Sequence, residues 1–383
     1  CKTHSFIAMS VAGKKKSECC GCGACTDVCP RHCIEMRPDR HGFMYARVDT
    51  QRCVECGLCE RVCPIPAYES AMTKPATAYA AWSREPEIHR RSASGGAAYL
   101  LGRHVIERGG VVYGCAADGL TVHHVRIDDV AALSRLQGSK YVQSDTRGIY
   151  RMLRDDLRAG ATVLFTGTPC QCAAARGCCR SCNNGNLITV ELICHGVPSQ
   201  KMLADHLRPI MKGRNADHIS FRSNGTFDLR LTAEGNMIYS GKVFGEKHPD
   251  CYYSAFLSGK TFRPSCYSCG YARPRRASDI TIGDFWGYGD RGSLPEAARN
   301  GLSAVMPVSV AGVRLFEEIR PELNAIEREA DEAIAGNPQL RHPFQRRPTA
   351  RLFALLYPLL PFDAAAHLSN LPSLLRRTAE KLL

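Results

Sequence analysis

Nothing in the sequence is long and apolar enough to cross a bilayer, which takes roughly 18 uninterrupted apolar residues. The longest apolar run, Leu352 to Pro361, is too short and is broken by two prolines. Residues 1–16 lack the apolar core that an export signal needs, and Gly13 leads straight into Lys14, Lys15 and Lys16. The expectation is a cytoplasmic protein with no membrane span. Basic residues are nowhere interleaved with aromatics in the manner of a nucleic-acid groove, so no nucleic-acid partner is expected. Acidic residues are the scarcer sign, 37 against 50 Lys and Arg, for a formal charge of +13. Disorder is excluded by composition: 44% of 383 residues are apolar, enough to bury a sizeable core in two or three domains.

Cysteine is what the chain has in excess. Twenty-one of them are too many for a reducing compartment unless they bind metal, because thiolates there stay available as ligands. Eight fall in two knots that are the only internal repeat: Cys19-x2-Cys22-x2-Cys25-x3-Cys29-Pro30 and Cys53-x2-Cys56-x2-Cys59-x3-Cys63-Pro64. Three cysteines spaced by three converge on one face of a cubane, while the fourth, before proline, is carried to the other cluster. The spacing therefore groups Cys19, Cys22, Cys25 and Cys63 on one [4Fe–4S] cluster, and Cys53, Cys56, Cys59 and Cys29 on a second. Zinc would favour separated C-x2-C pairs, not three cysteines before a Cys-Pro. Gly21, Gly23 and Gly57 let the backbone approach the cluster sulfides. Cys20 and Cys33 fall outside the pattern and read as bystanders.

Beyond residue 66 the pattern turns α/β. Met72 to Ala78 reads as a linker, and strands are expected at 79–82, 110–114, 162–165, 187–194, 280–282 and 304–310. Helices are expected from Ser94-Gly95-Gly96 to about Arg108, and at 149–159, 200–211, 312–330 and 363–383. Residues 217–245, with turn signals at Asn224-Gly225 and Glu234-Gly235, read as a hairpin. Cys170 and Cys194 each follow a strand, and Cys266-x2-Cys269 could complete four thiolates at one sheet edge, where α/β sites are built. A second set, Cys172, Cys178, Cys179 and Cys182, crowds a Gly/Asn-rich turn. Spacing alone leaves a third cluster open.

At these residues the chain resembles a known family. Ser94-Gly95-Gly96, Gly138-Ser139-Lys140-Tyr141, Gly167-Thr168-Pro169-Cys170-Gln171, Cys194-His195-Gly196-Val197-Pro198, Arg263-Pro264-Ser265-Cys266 and Gly283-Asp284-Phe285-Trp286-Gly287 are similar to motifs of the beta-subunit family of coenzyme F420 hydrogenases and dehydrogenases. The resemblance implies FAD with a third [4Fe–4S] cluster beside it on Cys170, Cys194, Cys266 and Cys269. It also implies a flavin pyrophosphate at the helix opened by Ser94, Gly95 and Gly96. Further flavin contacts are expected from Thr166, Gly167, Thr168 and Lys140. Lys140 and His195 are the catalytic candidates, His195 as proton donor or as a supporting hydrogen-bonded group. Arg263, Arg275, Arg276 and Asp284 are expected to flank the third cluster, to bind an anionic partner or tune its potential. One departure stands out: Ala175 to Gly185 is rich in Cys, Arg and Asn where the family continues with an apolar helix.

The fold class expected is α+β, a small bacterial-ferredoxin-like 2[4Fe–4S] domain followed by an α/β flavin and iron–sulfur domain. Boundaries fall at 15–68 for the head, 69–78 for a linker, 79–335 for the beta-subunit-like domain and 336–383 for a helical tail that reads as a docking surface. The function expected is a flavoprotein oxidoreductase, or alternatively a non-catalytic electron-transfer subunit that wires a partner enzyme. Its partners would be ferredoxin or a comparable redox protein, with a small-molecule substrate or a deazaflavin or nicotinamide carrier on the other side. Each cluster with its thiolates carries about −2, so three would bring the charge to about +7, still suited to an acidic partner.

Overall fold

A computed structural model of the chain describes residues 10–66, 69–182, 185–223, 226–288, 298 and 301–370. The head repeats one device. Gly23 and Gly57 adopt left-handed backbone (φ +75° and +70°) and each starts a single helical turn, Ala24–Asp27 and Leu58–Arg61. Those turns put Cys25 and Cys59, the third cysteine of each knot, on a helix. Between them a hairpin of β1 (Ile34–Pro38) and β2 (Met44–Val48) pairs Ile34 with Val48.

The body is built on a mixed eight-stranded sheet. Its strands are β3 (Thr77–Ser83), β4 (Val111–Asp118), β5 (Thr121–Ile127), β6 (Val163–Gly167), β7 (Leu187–Leu192), β11 (Ile280–Asp284), β12 (Ser303–Pro307) and β13 (Leu323–Glu329). The order is β13-β3-β12-β11-β7-β6-β4-β5. β4, β6, β7 and β11 run parallel, and β3 points the same way through two antiparallel steps across β12. The central strands are buried on both faces, as parallel strands covered by helices must be: Val190 and Ile280 are fully buried on one face, and the polar Thr189, Glu191 and Thr281 on the other. The helix Ala97–Glu107 packs Leu100, Leu101 and Val105 on one face of the sheet, with Phe316 from the helix Val310–Ile319. A separate antiparallel sheet of β8 (His218–Ser223), β9 (Thr226–Ala233) and β10 (Asn236–Lys242) stands beside it.

Several expectations change here. Residues 217–245 form three strands, not a hairpin; the turn at Asn224-Gly225 lies outside the described residues. The helix expected over 312–330 stops at Ile319, and Leu323–Glu329 instead pairs with β3 along its length. Its Glu and Arg suit the water-facing side of an edge strand as well as a helix, and the free edge of β3 decides the matter. β5 was hidden because His123, His124 and Arg126 interrupt its apolar positions. The linker is tied down: Met72 is buried, and Thr73 exchanges backbone hydrogen bonds with Arg276 at 3.0 and 2.8 Å. In the tail, the helices Pro348–Leu356 and Phe362–Leu368 are already docked, burying Phe353, Tyr357 and Phe362 against Tyr252 and the head residues Phe43 and Tyr45. Residues 371–383 lie outside the described residues.

The head is fastened to the body through backbone groups. Asp27 caps the helix Ile149–Arg158 from across the interface, accepting the Gly148 and Tyr150 amides at 3.0 and 3.1 Å. Burial pushes its carboxyl up and these two amides pull it back. Thr146 Oγ1 donates to the Cys22 carbonyl at 2.5 Å, Gln143 Nε2 to that of Cys20 at 2.7 Å, and Tyr271 Oη to that of Pro64 at 2.6 Å. A Cβ on Gly177 would stand 3.1 Å from the Val62 carbonyl, so the helix Pro169–Cys179 can lie directly against the head.

Candidate functional site

The head contains two cysteine-lined cavities. The inner, with about 470 Å³ of empty space, is lined by Cys19, Cys22, Cys25 and Cys63 together with Cys20. The outer, about 350 Å³, is lined by Cys29, Cys53, Cys56 and Cys59 together with Cys33. Each knot thus sends its Cys-Pro cysteine to the other knot's cavity, the grouping that spacing suggests. Among the described residues no three His, Cys, Asp or Glu side chains converge as they would around a single ion. The inner cavity faces the body; at the outer one Cys56 is exposed and Val54 is 57% exposed.

Cys20 and Cys33 lie at the same two cavities. Cys33 Sγ lies 3.4 Å from Cys29 Sγ, and Cys20 both lines the inner cavity and contacts Cys170 of the body. No spacing rule marks them, since each sits one or four residues from a ligand-spaced cysteine.

Of the third set, Cys170 and Cys194 lie at the carboxyl edge of the parallel strands. Pro169 and the reciprocal bonds of Thr168 and Gln171 open the helix that carries Cys170 directly after β6. Cys194 follows β7, while Cys266 lies in the turn Pro264–Ser268 and Cys269 directly after it. Burial lifts the Cys194 thiol to about 12, with Cys170 and Cys269 adding repulsion. Burial likewise raises the Cys266 thiol, and repulsion from Cys194, Cys269 and Cys170 adds to it, so the four thiols share one electrostatic neighbourhood. Thr168 Oγ1 is 3.3 Å from Cys170 Sγ. Of the rival set, Cys178, Cys179 and Cys182 lie close enough to repel one another, while Cys172 stands apart on the Gly167 and Val190 carbonyls. The helix continues to Cys179, and Cys172, Cys178 and Cys179 are buried in the core shared with Val28 and Val62 of the head. Ala175 to Cys179 is therefore helical despite its composition.

The flavin candidates are unequally placed. The Ser94 hydroxyl is buried without a partner among the described residues, an arrangement that costs about 1–3 kcal/mol unless something bonds to it. Gly96 (φ +93°) opens the helix Ala97–Glu107. Gly95 does not lie open to a phosphate. Its amide donates to Ser303 Oγ at 2.8 Å, and a Cβ there would stand 2.0 Å from the Ala81 carbonyl. Thr166 Oγ1 donates to the Tyr113 carbonyl at 3.2 Å, and Gly167 and Thr168 serve the helix cap.

The two catalytic candidates have structural work. Lys140 Nζ donates to the carbonyls of Arg135, Leu136 and Gln137 at 3.3, 3.2 and 2.8 Å, and burial pushes its pKa down. His195 is enclosed by Phe256, Phe262 and Phe344, with ring centroids 5.3, 5.3 and 5.4 Å away, and bonds to Gln339 and the Leu257 carbonyl. Burial pushes its pKa down too. Gln339 and Phe344 belong to the tail, so His195 anchors that segment. Of the flanking charges, Arg276 pairs with buried Glu191, Arg222 with Asp284 at 2.5 Å, and Arg275 Nε donates to the Met72 carbonyl at 3.0 Å.

These features define a mixed α/β iron–sulfur protein with a ferredoxin-like head, and residues 18–67 match the family model of the 4Fe-4S dicluster domain. Residues 160–332 match the family model for the carboxyl-terminal part of the coenzyme F420 hydrogenase/dehydrogenase beta subunit. The chain is an iron–sulfur electron-transfer protein related to those beta subunits of oxidoreductase complexes. The matched segment holds all four cysteines of the third set; Ser94, Gly95, Gly96 and Lys140 precede it. The chain is similar in structure to the F420-reducing [NiFe] hydrogenase complex from Methanosarcina barkeri, solved in xenon-derivatised form. The identity is 19%, covering 70% of this chain and 92% of the other, with a TM-score of 0.47. No curated protein matches the chain significantly. Among the described residues no helix is long and apolar enough to cross a membrane.

Proposed function

We propose that this chain is a flavin-dependent iron–sulfur oxidoreductase. It passes electrons between a low-potential one-electron carrier such as ferredoxin and a two-electron substrate, through FAD and three [4Fe–4S] clusters. The observation that carries this reading is the succession of cysteine-lined places from the sheet edge, through the inner cavity, to the outer cavity with its exposed Cys56. Cys170, Cys194, Cys266 and Cys269 would hold one cluster, Cys19, Cys22, Cys25 and Cys63 the second, and Cys29, Cys53, Cys56 and Cys59 the third. When bound, FAD supplies hydride exchange with a two-electron substrate and release of single electrons. The unpartnered Ser94 hydroxyl and the first-turn amides of the helix after Gly96 are the groups that would hold its pyrophosphate. Lys140 and His195 are both engaged in hydrogen bonds, so neither is free to give the substrate a proton. That observation favours the second reading, a non-catalytic electron-transfer subunit. Turnover of a hydride donor with an artificial acceptor by the purified chain separates the two.

The partner is tested by stopped-flow reduction under strict anaerobiosis. Ferredoxins are commonly acidic, so encounter with a chain of +13 formal charge is steered electrostatically. Reduction by ferredoxin should outpace reduction by nicotinamides. It should slow as the Debye length falls from about 10 Å at 0.1 M to about 3 Å at 1 M salt. A rate indifferent to salt, or faster flavin reduction by a nicotinamide, would remove ferredoxin from the account.

A further inference from the structure

Arg263 is the largest fully buried side chain of the described residues, at 0% exposure, and none of the described carboxylates pairs with it. Its Nε donates to the Cys19 carbonyl at 2.7 Å and its Nη1 to Gln143 Oε1 at 3.0 Å. Its Nη2 bonds to the Met44 carbonyl and lies 3.8 Å from Cys19 Sγ. The guanidinium stacks over Tyr45, with the ring centroid at 4.4 Å. A Cβ on Gly21 would stand 2.6 Å from it, so the knot backbone is pressed against the charge. On the other side, the Arg263 carbonyl accepts the Cys266 amide at 2.9 Å, which places the residue at the start of the third cysteine set.

A permanent charge out of water needs an opposite charge beside it. The neighbouring cations meet that need with carboxylates or lie nearer solvent; Arg263 meets it with neutral carbonyls and an amide. Among the described residues, the groups in reach that would become anionic on binding a cluster are cysteine sulfurs, Cys19 on the head side and Cys170 on the body side.

The geometry points to Arg263 as the shared counter-charge of the inner head cluster and the sheet-edge cluster. It is a positioning residue that sets their reduction potentials and locks the head to the body once both are loaded. This rests on the cluster assignment proposed above. Reduction adds one electron to a cubane and moves no atoms, taking the cluster with its thiolates from about −2 to about −3. A fixed cation beside it favours the added electron, so removing the cation must make the potential more negative. The outer cluster, on Cys29, Cys53, Cys56 and Cys59, has no contact with Arg263 and serves as the internal control.

The test is a dithionite titration of the anaerobically prepared full chain, followed by electron paramagnetic resonance, with iron counted in every sample. In Arg263→Gln the inner-cluster signal should appear at a more negative potential while the outer one stays in place. Arg263→Lys, which keeps the charge, should stay near the wild-type value with full iron. Full iron with unshifted potentials in Arg263→Gln would overturn the inference and leave Arg263 as packing. If Arg263→Gln fails to assemble, Arg263→Lys decides: full iron at an unshifted potential supports the charge account, and loss of iron or a comparable shift overturns it. A wild-type chain with no inner-cluster signal would overturn the cluster assignment itself, and this inference with it.

Discussion

In the head, three of the four ligand-spaced cysteines lining each cavity come from one C-x2-C-x2-C turn. At the sheet edge the four come from three separate segments between residues 170 and 269: Cys170 and Cys194 follow the neighbouring strands β6 and β7, and Cys266 and Cys269 lie in the turn Pro264–Ser268 and directly after it. The first arrangement is local and builds a cavity from almost nothing else: the outer cavity's apolar packing is Val11, Ile34 and the cysteines Cys29, Cys33 and Cys59. The second is imposed by a large core that would exist without any thiol. Clusters are therefore the interior of the head, whereas at the sheet edge a cluster would be a passenger on a scaffold that is already stable.

Chelation under reducing, anaerobic conditions should break that comparison most widely. A segment of roughly 50 residues buries too little surface to hold its fold alone, and metal binding then carries much of its folding free energy. Hydrogen exchange after iron removal should find protection lost across residues 10–66 and kept in β4, β6 and β7. A head as protected without iron as with it would contradict the account.

A smaller effect concerns the tail, which touches both regions. His206 is buried between Asp250 Oδ2 at 3.0 Å and Asp363 Oδ1 at 2.6 Å, and Asp363 lies on the tail helix Phe362–Leu368. Burial alone would lower its pKa, but hydrogen bonds with the two carboxylates lift it to about 9. A raised pKa contributes stability that is fully present below about 6.5 and lost as pH rises through about 9. The contribution is on the order of 3 kcal/mol at most, given about 1.4 kcal/mol per unit. Thermal melts of the wild-type chain should weaken between pH 7 and 10, and His206→Gln should flatten that dependence. Equal slopes in both proteins would assign the tail's hold to Phe353 and Phe362 alone.

How much of this was legible in the sequence follows from the same contrast. Cysteine spacing encodes the head because a cubane's reach matches a few residues of backbone, and Pro30 and Pro64 mark where the chain leaves for the other cavity. The carboxyl-edge location of Cys170 and Cys194 was readable from strands followed by cysteine, but how Cys266 and Cys269 lie relative to them was not, since that depends on the tertiary path of the chain. Cys20 carried no spacing signal, and only docking of the head brings it to Cys170. The partners of Lys140 and His195 were hidden for a related reason. Each sits in a motif that looks poised for chemistry, and tertiary partners, three carbonyls in one case and the tail in the other, occupy their polar atoms. Gly95 is required by close packing on β3 and β12, and a phosphate would demand a glycine there for the same steric reason, so sequence alone does not separate the two.

The central claim is that the sheet edge holds a cluster in series with the two in the head, and iron per chain tests it most directly. An anaerobically purified and reconstituted chain should hold about twelve irons, four per cubane. Cys170→Ala or Cys269→Ala should bring that to about eight while the paired signals of the head remain. About eight irons in the wild-type chain with its fold intact, or a loss of iron that follows Cys178, Cys179 or Cys182 instead, would contradict it.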